Sequence, residues 1–237
     1  MKRRWVKVLV IAVVVLAALF AAVDRTAVHY ANNEAAQLAK EKYGYDNTTD
    51  GYLDVSIEGF PFLTQAADLD FGHVRLTAGG FYIDTTTNTQ GGYLHIDRLH
   101  LDLRDVKVTS LTARSAEANL ATGTLTLSYK ELSDVVTRLA GSGGPLRVSR
   151  APGSSGQAAR VKVSGTAVGT ALNTTGTLLA QGTELSLTVP GAERASTAWR
   201  VGLPVGVDFT AARATADGIE IRLVGHQVTL GSSRYGR

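Results

Sequence analysis

From Leu53 onward the apolar residues recur at every second position. Leu53, Val55 and Ile57 alternate with Asp54, Ser56 and Glu58. The same rhythm returns at Leu125 and Leu127, at Val161 and Val163, and at Leu185, Leu187 and Val189. It continues through Val201, Leu203, Val205, Val207 and Phe209, then Ile219, Ile221 and Leu223, then Val228 and Leu230. A period of two places such residues on one face of a strand. Single-face alternation predicts antiparallel strands with one wet face. Residues 94–108 carry two changes of phase. Leu94 and Ile96 share one phase, Leu99, Leu101 and Leu103 take the other, and Val106 and Val108 return to the first. Such slips predict β-bulges or short turns, which bend a sheet.

Two helical patterns interrupt the strands. Residues 24–42 place Val28, Ala31, Ala35, Leu38 and Ala39 at helical spacing, with Gly44 beyond the last of them. Ser128 and Glu131 form a capping-box pattern ahead of an apolar stripe of Leu132, Val135, Val136 and Leu139, and the glycine-rich residues 141–144 stop that helix. Residues 151–159, with Pro152-Gly153-Ser154-Ser155-Gly156, read as a flexible loop. The expected fold is α+β, a long curved and mostly antiparallel sheet wrapped around one or two helices.

The compartment follows from the N-terminus. Residues 8–23 are sixteen positions without a charge, preceded by Trp5 and by Lys2, Arg3, Arg4 and Lys7. Trp5, Val6 and a snorkelling Lys7 bring the run near the length of a spanning helix. A cleaved signal peptide has the same basic and apolar regions. Cleavage after Ala21 or Ala22 would put Leu19 or Phe20 three residues before the cut, where a small residue is needed, so an uncleaved anchor is favoured. The basic residues then stay in the cytoplasm and the remainder is exported. Without those four cations the chain has 20 basic and 21 acidic residues, a balance unlike that of a nucleic-acid binder. With no cysteine, disulfides, thiolate metal sites and an acylated lipoprotein N-terminus are excluded. The chain thus divides into a basic tail (1–7), an anchor or signal segment (8–23), a helical stalk or packing helix (24–45), a β-rich domain (46–231) and a tail (232–237).

One loop stands out against the strands, Gly59-Phe60-Pro61-Phe62-Leu63-Thr64-Gln65. Turns at strand ends are normally polar, yet this one holds two phenylalanines and a leucine around a proline. Phe60, Pro61, Phe62 and Leu63 either plug the end of the core or form a hydrophobic lip that enters a bilayer or gates a lipid groove. His95, Asp97, His100 and Asp102 lie off the apolar phase and read as a solvated strand face, not a metal site. Asp68-Leu69-Asp70-Phe71-Gly72 lacks the later ligands of a calcium loop. No G-x-S-x-G, S-x-x-K or H-E-x-x-H motif occurs, and Gly153-Ser154-Ser155-Gly156 lacks nucleophile-elbow spacing. The expectation is a non-enzyme with no cofactor and no metal. The Asn47 and Asn173 sequons matter only in a eukaryotic secretory host.

The ectodomain resembles the actinobacterial LmeA-like phospholipid-binding family. The resemblance is carried by Val55-Ser56-Ile57-Glu58-Gly59-Phe60-Pro61-Phe62-Leu63-Thr64-Gln65, by residues 96–108 and 125–132, and by Gly202-Leu203-Pro204 and Gly218-Ile219-Glu220-Ile221. One departure is the six residues between Gln65 and Gly72, where the family runs sooner to glycine. The resemblance implies an envelope protein that binds phospholipid or glycolipid, some members affecting lipoglycan assembly or envelope maintenance. It also implies a tubular lipid-binding plan, in which a curved sheet and a helix enclose an acyl chain. Phe60, Pro61, Phe62, Leu63, Leu132, Val135, Val136 and Leu139 are then the candidate lipid and membrane contacts. A non-catalytic scaffold for an envelope biosynthetic enzyme, such as a glycosyltransferase, is the alternative.

Overall fold

The computed structural model describes residues 2–43, 51–83, 94–112, 115–141, 144–167, 169–201 and 203–230. The Asn47 sequon, Gly202 and the tail 232–237 lie outside the described residues. Helix α1, Lys2–Tyr43, is one unbroken helix of 42 residues. The anchor and the stalk are therefore a single element with no joint at Asp24, and no proline or glycine occurs in residues 2–43 to break it. Within α1, Val13–Gln37 is long and apolar enough to cross a membrane, a test that a signal sequence also passes.

Eleven strands follow among the described residues, β1 Tyr52–Glu58, β2 Asp70–Ile83, β3 Leu94–Ser110, β4 Ser115–Ser128, β5 Leu146–Arg150, β6 Ala158–Ala167, β7 Thr170–Gln181, β8 Glu184–Thr188, β9 Thr197–Arg200, β10 Val207–Ala214 and β11 Gly218–Leu230. Helix α2, Phe62–Asp68, separates β1 from β2, and α3, Tyr129–Ala140, separates β4 from β5. The fold is α+β and every strand pairing is antiparallel. The strands form two sheets, ordered β1-β2-β3-β4-β11-β10 and β5-β6-β7-β8-β9. Both contribute to one core, with α3 touching β3 and β4 of the first sheet and β5 of the second. Strand β10 ties the sheets together. The Phe209 N–H donates to the Gly182 carbonyl at 2.7 Å and the Ala212 N–H to that of Gly156 at 3.1 Å. Residues 151–159 are thus a fastened connection and not a free loop. The Ser154 hydroxyl also accepts from the Arg160 and Ala214 N–H groups, at 3.1 and 3.2 Å.

The two phase changes in β3 are real, but neither is a bulge. Pairing with β2 keeps one register from Asp70↔Lys107 to Ile83↔Leu94. The first slip faces Gly80, whose φ is +68°. The second is part of a line across four strands. Gly72, Asp105, Asn119 and Gln227 occupy one row of β2, β3, β4 and β11. Asp105 and Gln227 are left-handed, with φ of 50° and 51°. On either side of the row the buried residue changes parity, from Leu103 to Val106, from Ala121 to Ala118 and from Gly225 to Val228. In β3 and β11 one left-handed residue turns the strand about its own axis without adding a residue to the ladder, and β4, paired between them, switches its core-facing set with them. The Asn119 side-chain amide donates to the Asp105 carboxylate across the line at 3.4 Å.

Candidate functional site, a lip beside the apolar helix and a half-buried inner strip

Helix α1 runs along the edge strand β1 and fixes the Gly59–Gln65 segment. The Asn32 side-chain oxygen accepts from the Ile57 N–H at 2.8 Å, which satisfies a group on a sheet edge. Asp24, fully buried, accepts from the Leu63 N–H at 2.8 Å. Leu63 is in the first turn of α2, where N–H groups lack helical partners and a carboxylate is favourable. Much of the expected loop is therefore helix. Only Gly59, Phe60 and Pro61 are turn, with a cis Phe60–Pro61 peptide, and α2 begins at Phe62. Gln65 braces the turn, its amide donating to the Pro61 carbonyl at 3.5 Å while its oxygen accepts from the Gly72 N–H at 3.1 Å. Asp68 ends α2, and left-handed Leu69 caps it, so this stretch is a helix end leading into β2. Asp70 pairs with Lys107 at 3.4 Å.

The two phenylalanines of the segment differ in burial. Phe62 is buried and stacks on Phe71 with ring centroids 6.1 Å apart. Phe60 is 55% exposed and meets Phe20 of α1 edge-on at 6.4 Å, with the Arg25 guanidinium 5.3 Å above its ring. Pro61 and Leu63 are half-buried between them. The exposed phenylalanine therefore stands beside the apolar stretch of α1, under a cation held at cation–π distance.

A strip of the first sheet's inner face begins at this lip. Val74 faces Leu103, Leu76 faces Leu101 and Ala78 faces Leu99 across β2 and β3, all on the core side. Ile57, Phe71, Val74, Leu76, Leu99 and Leu101 are only half-buried, whereas Leu125, Leu127, Ile219 and Ile221 on β4 and β11 are sealed. The strip follows β2 and β3 away from Phe62 and Phe71 toward the core around α3. In α3, Leu132, Val135 and Val136 are buried in that core and Leu139 is half-buried. The Ser128 hydroxyl caps α3 by accepting from the Glu131 N–H at 3.2 Å. The box is half-made, because the Glu131 carboxylate accepts from the His95 N–H of β3 at 3.4 Å. Two open surface concavities, about 390 and 220 Å³, lie on the second sheet among polar residues such as Lys162, Asn173, Gln181 and Glu184.

The outer face of the same strands carries a polar cluster that only half matches expectation. His100 and Asp102 do come together, at 3.3 Å, while His95 and Asp97 belong to the far end of β3 near α3. The missing members sit on neighbouring strands. His73 Nε2 is 2.7 Å from Asp102 and its Nδ1 3.5 Å from Glu58, and Arg75 pairs with Glu58 at 2.7 Å. Their only sequence signal is alternation, since the register that makes them neighbours is long-range. The His73 hydrogen bond holds the Asp102 carboxyl below its ordinary value, against the upward push of burial and with help from the charges of His100, His73 and Arg75. Among the described residues no group of side chains is arranged to hold a metal ion.

A β-rich domain with a half-buried apolar strip thus stands beside a helix long and apolar enough to cross a membrane. The family model LmeA-like phospholipid-binding matches residues 22–224, and the chain belongs to that family. No curated protein and no solved structure matches it.

Proposed function

We propose that this is a single-pass, membrane-anchored, extracytoplasmic phospholipid-binding protein, N-terminus inside, which holds or shuttles lipid for envelope maintenance or lipoglycan assembly. The observation that carries the reading is the half-buried strip of β2 and β3, which starts at Phe62 and Phe71, the first of them two residues along the chain from Phe60, which touches the apolar helix. An acyl chain laid along Val74, Leu76, Leu99 and Leu101 removes apolar surface from water, worth about 25 cal/mol per Å². A tether supplies high effective concentration, so modest affinity suffices. Entry at the lip keeps the headgroup near Arg25. The reading requires no reaction.

The test is photo-crosslinking of the full chain in vesicles, using phospholipid with a photoreactive group at the acyl terminus. Adducts on β2 and β3, lost in a folded Leu101→Arg variant, are expected. Adducts confined to α1 would overturn the strip. They would favour a non-catalytic scaffold for a membrane enzyme, a reading supported by the filled core around α3.

A further inference from the structure

Outside α1, the large apolar residues that stand exposed among the described residues are Tyr52, Phe60, Leu111 and Val205. Three of these four come from different connections, far apart in sequence, and the sheet register places all three beyond the same end of the first sheet, at unequal heights. Glu58, His73, Arg104, Leu120 and His226 form a single row across β1, β2, β3, β4 and β11. Phe60 lies two residues beyond Glu58, at one edge of that row. Val205 lies at the other edge, in the turn where the Val207 N–H donates to the Pro204 carbonyl and the His226 N–H to that of Gly206, at 3.1 and 3.2 Å. Six strands at about 4.8 Å spacing put these edges roughly 24 Å apart. Leu111 tops the β3–β4 turn between them, beyond the pairing of Ser110 with Ser115 and seven residues past Arg104, so it projects roughly 20 Å beyond the row. Leu111 is 69% and Val205 80% exposed. Tyr52, the fourth, starts β1 at the opposite end.

We propose that this end of the first sheet docks on the bilayer through three apolar tips, with Leu111 inserted deepest and Phe60 and Val205 flanking it nearer the interface. The inference rests on α1 as the membrane anchor, but not on the strip as the lipid site. A bilayer is the occupant because the end is continuous with the apolar helix. Phe20 of α1 touches Phe60, and Asp24 and Asn32 bind α1 to α2 and β1, so the helix brings this end to the membrane in a fixed orientation. Single apolar tips on separate turns suit a fluid interface, which needs no shape complementarity, better than a protein partner, which binds through a contiguous packed patch. Docked this way, the domain presents the mouth of its strip to the leaflet and cannot swing free.

The chain contains no cysteine, so single labels are unambiguous. Phe60→Cys, Leu111→Cys and Val205→Cys would each carry an environment-sensitive fluorophore. The full chain would be reconstituted in phosphatidylethanolamine–phosphatidylglycerol vesicles with brominated phospholipid as quencher. Phe20→Cys marks the bilayer and Tyr52→Cys the far end. All four of these domain positions are exposed, so labelling leaves the core intact. Loss of emission at Leu111 and Val205, as at Phe60 and unlike Tyr52, is expected. Emission at either Leu111 or Val205 that resists the quencher as Tyr52 does would overturn the three-point docking, including where a protein covers the tips. Acyl-chain adducts read on the same samples keep the outcomes separate, since quenched tips without adducts on β2 and β3 would sink the strip and leave the docking.

Discussion

Asp24 carries more of this architecture than its place at the end of an apolar run suggests. Its carboxylate is fully buried, one oxygen accepts the Leu63 N–H, and the other has no partner among the described residues. A buried N–H left without its acceptor costs about 1–3 kcal/mol. Asp24→Ala should therefore raise hydrogen exchange at Leu63 and the first turn of α2 by roughly 5- to 150-fold, reading that cost as local opening. Unchanged exchange would mean that packing alone holds α2. Asp102 makes a second prediction at this scale. Its folded value lies below the ordinary 3.8, so its contribution is fully present above 3.8 and is lost as pH falls through the lower folded value. In acid titrations of stability, Asp102→Asn should flatten that fall. An equally steep loss in the variant would place the acid sensitivity elsewhere.

At the scale of elements, α3 is the piece whose logic is local. Its stripe, its Ser128 cap and its stop at Gly141 are all within twelve or so residues of one another, and all are present in the fold. Ser128→Ala should cost about 1 kcal/mol in denaturant midpoint, the usual value of a side-chain cap, and a null effect would show that the Glu131–His95 contact positions the helix instead. What local pattern cannot carry is pairing. Both parity changes of β3 are visible in sequence, but the second belongs to a row of four residues on four strands, which only the register assembles. The division into two sheets is hidden for the same reason, since a strand's alternation does not say which sheet it joins. The site divides likewise. Phe60 to Leu63 are legible as misplaced apolar residues in a turn. Asp24, Asn32 and Gln65, which position them, look like ordinary polar residues because their partners are backbone groups in other elements. His73 shows how the outer cluster escapes notice, with its tightest partner 29 positions away.

For the molecule as a whole, the question is whether the second sheet is a separate body or the back wall of the first. Residues of both sheets share one core, and β10 closes the gap with Phe209, which is 1% exposed and donates its N–H to Gly182. The half-buried strip is the weaker part of the core, and it needs rigid backing to keep its shape. The sealed layer of β4, β11 and the second sheet provides that backing. The two sheets should then unfold together. Trp199, 1% exposed on β9, reports the second sheet, and the other tryptophan, Trp5, can be replaced by phenylalanine to leave it the sole indole. Trp199 fluorescence and far-ultraviolet dichroism should show coincident denaturant transitions. Phe209→Ala, which opens a cavity at the seam, should destabilise by about 3–5 kcal/mol and move both transitions equally. If the Trp199 transition instead separated from the other, the second sheet would be an independent unit, and the strip would owe its shape to the first sheet and α1 alone.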